Sequence, residues 1–402
     1  MLTLKILILT WVIYSSFYLC RVNFPIAMPL ISGELGIGSS YLGVIASGFF
    51  ITYAIGQVVN GYLNIKWNAK SMLYIGILGS SISTILFGLS GNPSLLLALW
   101  VINGYFQSIG WPATVKIVSV DVRRGDLGKR FGLLNTSWTL GHAASWLFTG
   151  FIVQYFGWRC SFIINGILFM LLALTSVKLV PEVAVESERF GGSSVSVNGR
   201  AGGLGKLEIK VIVLLALAFF ISDGIRYGLI TYLPSYFFSL EDSALTSTLI
   251  SLALPLAGSI GMIIVGWLSD RVGGKLKVLL LLFLALLTAI LLYDFPYRYE
   301  AEKAVGLMYL IAISISMYGS QSQITSAMPV ELSGEKYSSF VAGLINAVGS
   351  AGAFLFNFTA GFMIDVNGYA GLFETWSIMQ VVQAAILVIV CIFIRRIYEE
   401  DD

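Results

Sequence analysis

Two arginines of this chain lie within apolar stretches, where a charged side chain needs a partner. Arg21 occurs in FYLCRVNFPIAMP (17–29) and Arg226 in SDGIRYGLITYLP (222–234). A guanidinium group presents its N–H donors as a planar fork that fits carboxylate and phosphate oxygens. Asp223 precedes Arg226 by three residues, a helical spacing that allows an ion pair. These residues predict a site for a small anion, with Asp223 as either a salt-bridge partner of Arg226 or a proton-coupling group.

The composition is that of a membrane protein. Of the 402 residues, 57% are hydrophobic and 11% are charged, whereas roughly a quarter of a soluble domain is charged. The net charge of +2 gives no reason to expect a nucleic-acid partner. Three cysteines without metal-ligand spacing and a single histidine argue against a metal centre, and no cofactor is expected. Nucleotide-binding and hydrolase motifs do not occur, so the sequence predicts neither an ATP-driven pump nor an enzyme.

Apolar runs long enough to cross ~30 Å of hydrocarbon recur along the chain. We predict an all-α membrane protein with twelve spans, divided by a polar segment rich in glycine and serine. The predicted parts are an N-terminal six-helix bundle (1–180), a cytoplasmic central loop (181–208) and a C-terminal six-helix bundle (209–402). The run that follows Lys5 is interpreted as the first span and not as a cleaved signal.

The distribution of positive charge predicts the orientation. Of the 24 Lys and Arg residues, 18 fall at the two termini or in even-to-odd links, and only Arg159, Arg298 and Lys303 fall in odd-to-even links. Because cytoplasmic loops carry the excess of Lys and Arg, both termini should be cytoplasmic. A prokaryotic plasma membrane and a monomer are the default expectations. Lys116, near a predicted span end, is expected to extend its ammonium group towards water.

The two halves of the chain repeat each other. Arg21 and Arg226 are 205 residues apart, and GYLNIKWNAK (61–70) recurs at the same offset as GWLSDRVGGK (266–275). Two matching halves in one orientation predict a pseudo-symmetric transporter fold, with the two arginines on opposite walls of one central cavity. GWLSDRVGGK also resembles the cytoplasmic loop motif of the major facilitator transporters, and this resemblance implies a gating role for Gly266, Asp270, Arg271 and Lys275. The alternative is the positive charge that any cytoplasmic loop carries.

Helical spacing adds candidate site residues around the two arginines. Tyr14, Tyr18 and Arg21 lie at steps of three and four on one face of the first span. Aromatic and amide side chains on other spans are further candidates for substrate binding, or else for interhelical hydrogen bonding and packing: Gln107, Trp111, Asn135, Trp138 and Tyr318. His142 is a candidate for proton coupling, because imidazole titrates near neutral pH, or else a hydrogen-bonded core residue.

Several of these stretches resemble one family. FYLCRVNFPIAMP, GYFQSIGWPATVKI, GIRYGLITYLPSYF and MYGSQSQITSAMPVEL are similar to segments of the organophosphate:phosphate antiporters of the major facilitator superfamily. The resemblance implies a twelve-helix fold, exchange of inorganic phosphate for an organic phosphate, and alternating access. By position it implies that Arg21 and Arg226 hold the phosphate group. The family's helix 5 histidine falls at Trp138, and Asp223 is acidic where a tyrosine is expected.

Two other functions remain open from the sequence. Protonation of Asp223 would release Arg226, which would make the chain a proton-coupled symporter of an organic carboxylate such as a sugar acid. A transporter-like receptor for an external anion is the remaining alternative. The sequence thus predicts a secondary transporter of small organic anions in a lipid bilayer.

Overall fold

The computed structural model describes residues 2–120, 127–180, 205–272 and 274–401, and these residues are almost entirely helical. Helices are expected here because a backbone in hydrocarbon must satisfy its hydrogen bonds within the segment. The helices in the described ranges are α1 (Leu2–Phe17), α2 (Asn23–Leu35), α3 (Ser39–Lys66), α4 (Ala69–Leu89), α5 (Pro93–Gln107), α6 (Gly110–Val120), α7 (Leu127–Leu179), α8 (Lys206–Glu241), α9 (Ala244–Ser251), α10 (Ala253–Val272), α11 (Gly274–Ala301), α12 (Lys303–Ser322) and α13 (Met328–Asp401).

Eight helical segments of the described residues are long and apolar enough to cross a membrane. Two of them, Thr136–Leu179 and Val341–Arg395, have 44 and 55 residues, whereas one crossing needs about 20. Each contains a glycine with a left-handed backbone, Gly157 (φ 80°) and Gly368 (φ 67°), a conformation that glycine adopts without steric cost. Both long segments can therefore supply two crossings each, and the total of twelve stays a prediction.

The described residues form two compact units. One unit contains the described parts of Met1–Ser193 together with Thr231–Leu252, and the other those of Ser194–Ile230 and Ala253–Asp402. This division differs from the predicted boundary at residue 209, because the C-terminal part of α8 and all of α9 belong to the first unit. The six-plus-six division stays a prediction, and residues 181–204 of the predicted central loop lie outside the described residues.

In the first unit, α9 joins the N-terminal helices by direct contacts with α7. Ser243 Oγ and the Leu245 amide both lie within hydrogen-bond distance of Gln154 Oε1, at 3.2 and 3.3 Å. A methyl group added at Gly150 would lie 2.7 Å from Thr248 Oγ1 and 2.9 Å from Thr248 Cβ. The two helices therefore touch at a glycine, the close approach that small residues permit in membrane proteins.

Glycines also bring the helices around Arg21 close together. A methyl group added at Gly104 would lie 2.5 Å from the Phe49 carbonyl oxygen, so α5 packs directly on the α3 backbone. At Gly141 the same addition would lie 2.8 Å from Ser15 Cα, which places α7 against α1. The core between these helices is apolar: Ile13, Phe17, Met72, Ile77, Ile109 and Phe169.

The second unit packs α8 and α13 around a separate apolar core and holds α10 against α12. The core is formed by Val211, Leu215, Phe219, Leu281, Ile345 and Leu387. Gly258 and Gly261 form the contact between α10 and α12, since a methyl group at Gly258 would lie 2.5 Å from Tyr318 Cγ and one at Gly261 would lie 2.5 Å from Ile315 Cα. Tyr318 is thus fixed by close backbone packing.

Polar contacts secure several helix ends. Glu34, in the last turn of α2, accepts hydrogen bonds from Trp158 Nε1 and Arg159 Nη2, both at 2.6 Å. Lys116 is partly exposed in α6, and its expected extension towards water stays a prediction. Its ammonium group donates to the carbonyl oxygens of Asn64 and Trp67. Lys116 therefore donates to carbonyl groups at the C-terminus of α3, where the helix dipole favours a positive charge.

We predict that Gly150→Ala destabilises the protein. The added methyl group would meet the Cβ atom of Thr248, which cannot move without moving α9. The melting temperature in detergent should fall, and a second substitution, Thr248→Gly, should recover most of the loss. This prediction is checked by thermal unfolding of the purified protein.

The matched control is Gly33→Ala in α2, where an added methyl group meets nothing within 4 Å. Since alanine favours a helix over glycine by up to about 1 kcal/mol, the control should keep or raise the melting temperature. Equal melting temperatures for the two alanine variants would contradict the proposed contact between α7 and α9.

Candidate anion-binding site

Arg21 lies at a break between two helices. The helix α1 ends at Phe17, a tight turn covers Tyr18–Cys20, and α2 begins at Asn23. The amide of Arg21 donates to the Tyr18 carbonyl at 3.1 Å, so the Phe17 carbonyl loses the partner that a continuous helix would give it. A buried carbonyl without a hydrogen bond is costly, and the break needs donors from elsewhere in the fold.

Three buried side chains donate to carbonyl groups at this break. Gln107 Nε2 donates to the Phe17 carbonyl at 3.0 Å, and Asn103 Nδ2 donates to the Cys20 carbonyl at 2.7 Å. On the other side of Arg21, Trp146 Nε1 donates to the Val22 carbonyl at 3.0 Å. The donors come from α5 and α7, whose close packing on α1 and α3 brings them within reach.

Ser80 of α4 links two of these donors. Its hydroxyl group donates to Asn103 Oδ1 at 2.6 Å and accepts from Gln107 Nε2 at 2.8 Å. Ser80 and Asn103 are fully buried, and Gln107 is 2% exposed. The result is a water-excluded polar network that joins α4 and α5 to the helix break.

The guanidinium group of Arg21 lies among aromatic rings. Arg21 Nη1 donates to the Tyr53 hydroxyl at 3.2 Å, and the guanidinium carbon lies 4.2 Å from the centre of the Tyr53 ring. The rings of Tyr18 and Phe49 lie at 5.5 and 5.6 Å from the same carbon. Such rings stabilise a cation through their π faces.

The predicted aromatic residues of the first half form one continuous row. The ring of Tyr14 lies 4.9 Å from that of Trp111 and 6.0 Å from that of Tyr18. Tyr18 in turn stacks on His142 at 5.8 Å, and His142 meets Trp146 edge-on at 4.4 Å. The structure therefore brings Tyr14, Tyr18, Trp111 and His142 together near Arg21.

Arg226 is held differently, in the uninterrupted helix α8. Its Nε and Nη2 atoms both donate to Asp223 Oδ1, at 3.0 and 2.5 Å. The arginine side chain is 14% exposed and the aspartate side chain 5% exposed, so this is a buried ion pair. The rings of Tyr227 and Tyr318 lie 4.4 and 5.4 Å from the guanidinium carbon. The predicted pairing of Asp223 with Arg226 is present.

The remaining predicted residues have other local surroundings. The Arg271 guanidinium stacks on the Trp267 ring at 3.7 Å, and a methyl group at Gly266 would lie 3.7 Å from Gln323 Nε2. Trp138 is partly buried in α7. Three predicted side chains lie outside the described part of the chain: Asn135, Asp270 and Lys275.

The sequence prediction missed several residues of the site. Phe49 and Tyr53 flank Arg21 from α3, and their spacing of four residues on one helical face is a weak signal that cannot be told from core packing. Ser80 gave no signal. Asn103 shares a helical stripe with Gln107, which was visible in the sequence, but their role in binding backbone carbonyls was not.

Comparison with known proteins identifies the fold family. The model of the Major Facilitator Superfamily matches residues 10–357. The chain belongs to the Major Facilitator Superfamily. This membership confirms the predicted major facilitator fold and a multi-pass membrane transporter rather than an enzyme. A solved structure of a bacterial homolog to the human lysosomal transporter Spinster, inward-facing and unoccupied, matches with a TM-score of 0.76 at 16% identity. The match covers 98% of this chain and 96% of that one.

Two curated relatives cover most of the chain. A probable hexose phosphate transport protein of Chlamydia pneumoniae is 26% identical over 90% of this chain and 85% of its own length. The membrane sensor protein UhpC of Escherichia coli (strain K12) is 25% identical over 95% of this chain and 90% of its own length. The superfamily member described here is therefore similar both to a transporter and to a sensor.

We predict that Ser80→Ala destabilises this superfamily member. The substitution leaves Asn103 Oδ1 buried without its donor, and an unsatisfied buried acceptor costs about 1–3 kcal/mol. The melting temperature in detergent should therefore fall.

Its neighbour provides the control. The hydroxyl group of Ser81 is buried and has no hydrogen-bond partner among the described residues, so Ser81→Ala should leave the melting temperature unchanged or higher. A Ser81→Ala variant that melts as low as Ser80→Ala would show that Ser80 acts through volume alone.

Proposed function

We propose that this protein is a secondary transporter that exchanges an organophosphate for inorganic phosphate by alternating access. The observation that carries the proposal is the pair of arginines at matching positions of two sequence repeats, each within an apolar stretch. A charge in the centre of a bilayer costs between about 3 and 10 kcal/mol, so such residues normally serve a substrate pathway. The relative named as a hexose phosphate transport protein supports phosphate as the recognised group.

A shared anion explains why two arginines are kept. In the proposed mechanism Arg21 and Arg226 bind the same phosphate group, which removes their mutual repulsion and draws the halves together. Without an anion the repulsion opposes closure, so an empty carrier cannot reorient easily and exchange is favoured over net flux. The gating residues Gly266, Asp270, Arg271 and Lys275 belong to this proposal, as do cytoplasmic termini, a prokaryotic inner membrane and a monomeric state.

Asp223 acts as an internal stand-in for substrate at Arg226. The carboxylate occupies the Nε–Nη2 edge of the guanidinium, the same fork that a phosphate would use. Full binding to the fork requires that Asp223 release its two hydrogen bonds. The aspartate keeps the arginine paired while the carrier is empty.

The exchange proposal is tested in proteoliposomes loaded with inorganic phosphate and exposed to labelled glucose 6-phosphate or glycerol 3-phosphate. Uptake should depend on internal phosphate. Arg21→Lys and Arg226→Lys should each reduce it by about tenfold or more, because lysine keeps the charge but loses the bidentate fork. Uptake that is absent, or that does not need internal phosphate, contradicts exchange.

The buried Asp223–Arg226 pair also supports a second function, proton-coupled symport of a carboxylate. In that case protonation of Asp223 releases Arg226 for the substrate. Labelled gluconate uptake should then follow an imposed pH gradient, and Asp223→Asn should abolish that dependence. Exchange predicts the opposite: the wild type and Asp223→Asn show equal phosphate counterflow, and neither responds to the pH gradient.

The sensor relative defines a third outcome. A receptor would be stabilised by the sugar phosphate in a thermal-shift assay but would show no counterflow in proteoliposomes. Stabilisation together with counterflow supports the transporter.

A further inference from the structure

We propose that Asn103, Gln107 and Trp146 are positioning residues, which direct the Arg21 fork by holding the carbonyl groups of the helix break. The inference deepens the proposed function, since it takes Arg21 as an anion ligand. It differs from the sequence-based assignment of Gln107 as a direct substrate contact. In this account the three side chains do not touch the anion.

The donor groups of these three side chains already bind backbone carbonyl oxygens. Gln107 Nε2 is shared between the Phe17 carbonyl and Ser80 Oγ, and Asn103 Nδ2 binds the Cys20 carbonyl. Trp146 is fully buried, and its only ring donor binds the Val22 carbonyl. To donate to a substrate, any of the three would have to abandon a carbonyl in an apolar environment.

The held carbonyls surround Arg21 in the chain. Phe17 and Cys20 precede it, Val22 follows it, and the turn places two hydrogen bonds on the Tyr18 carbonyl. A broken helix without such ties can rotate about the backbone of residues 20–22, and rotation there swings the Arg21 side chain away from Tyr53. Ties on both sides therefore fix the direction in which Arg21 leaves the backbone.

In the second unit the backbone itself orients the arginine. Helix α8 is continuous at Arg226, so its own backbone fixes the direction of that side chain. The Asp223 carboxylate then orients the fork with two hydrogen bonds. Arg21 has a broken backbone and obtains the same orientation from side chains of α5 and α7.

The first test measures binding of inorganic phosphate to purified protein by the concentration dependence of its thermal stabilisation. Trp146→Phe removes the donor but keeps an aromatic ring, and Gln107→Met keeps length without a donor. Each should weaken phosphate binding by about tenfold. The control is Ser81→Ala, which removes a buried hydroxyl group that makes no hydrogen bond within the described residues, and it should bind phosphate as the wild type does.

Double variants distinguish a positioning role of Gln107 and Trp146 from direct contact with the anion. Combined with Arg21→Lys, Trp146→Phe and Gln107→Met should cause no further loss of affinity, because the fork they direct is gone. Combined with Arg226→Lys, each should still cause its own loss. A Gln107→Met effect that persists fully beside Arg21→Lys would overturn the proposal and make Gln107 a direct ligand.

A second readout needs no ligand. Hydrogen exchange of peptides that cover residues 17–24 should rise in Trp146→Phe and Gln107→Met and stay unchanged in the Ser81→Ala control. Unchanged hydrogen exchange in both Trp146→Phe and Gln107→Met would overturn the proposal even if the protein binds phosphate. A third result is that the wild-type protein binds no phosphate while hydrogen exchange still rises in Trp146→Phe and Gln107→Met. That result contradicts phosphate as the ligand and supports the role of the two side chains at the helix break.

Discussion

The structure depends on one constraint: a guanidinium group in an apolar helix must be both neutralised and oriented. The two units meet this constraint in different ways. In the second unit a carboxylate three residues away binds the Nε–Nη2 edge of Arg226 within a continuous helix. In the first unit Arg21 lies at a helix break, against the ring and hydroxyl group of Tyr53. The sequence repeat is symmetric, but the local chemistry is not.

This asymmetry bears on how an anion would be taken up. A buried ion pair within one helix has already paid its desolvation cost, so a substrate gains at Arg226 only what exceeds the pairing with Asp223. The rings of Tyr18, Phe49 and Tyr53 stabilise the Arg21 guanidinium through cation–π contacts of about 0.5–2 kcal/mol. We therefore expect anion binding at Arg226, in particular, to be coupled to the release of Asp223.

The sequence predicted those features that depend on local spacing or on overall composition. Apolar runs predicted a helical membrane protein, the repeat paired Arg21 with Arg226, and the spacing of three predicted the Asp223 ion pair. The helix break at Arg21 was not predicted, although the sequence carries a signal for it: Pro25 lacks the amide that would donate to the Arg21 carbonyl in a continuous helix. The partners that hold the break lie more than 80 residues away in the chain, at Asn103, Gln107 and Trp146. Such long-range contacts leave no periodic signal, and the same absence concealed Tyr53.

We propose above all that Arg21 and Arg226 bind one and the same anion. A structure determined with inorganic phosphate bound tests it most directly. We predict a single phosphate with oxygens at about 2.7–3.0 Å from nitrogens of both Arg21 and Arg226, with Asp223 moved off the fork. A phosphate that contacts only one of the two arginines, or neither of them, would contradict the account.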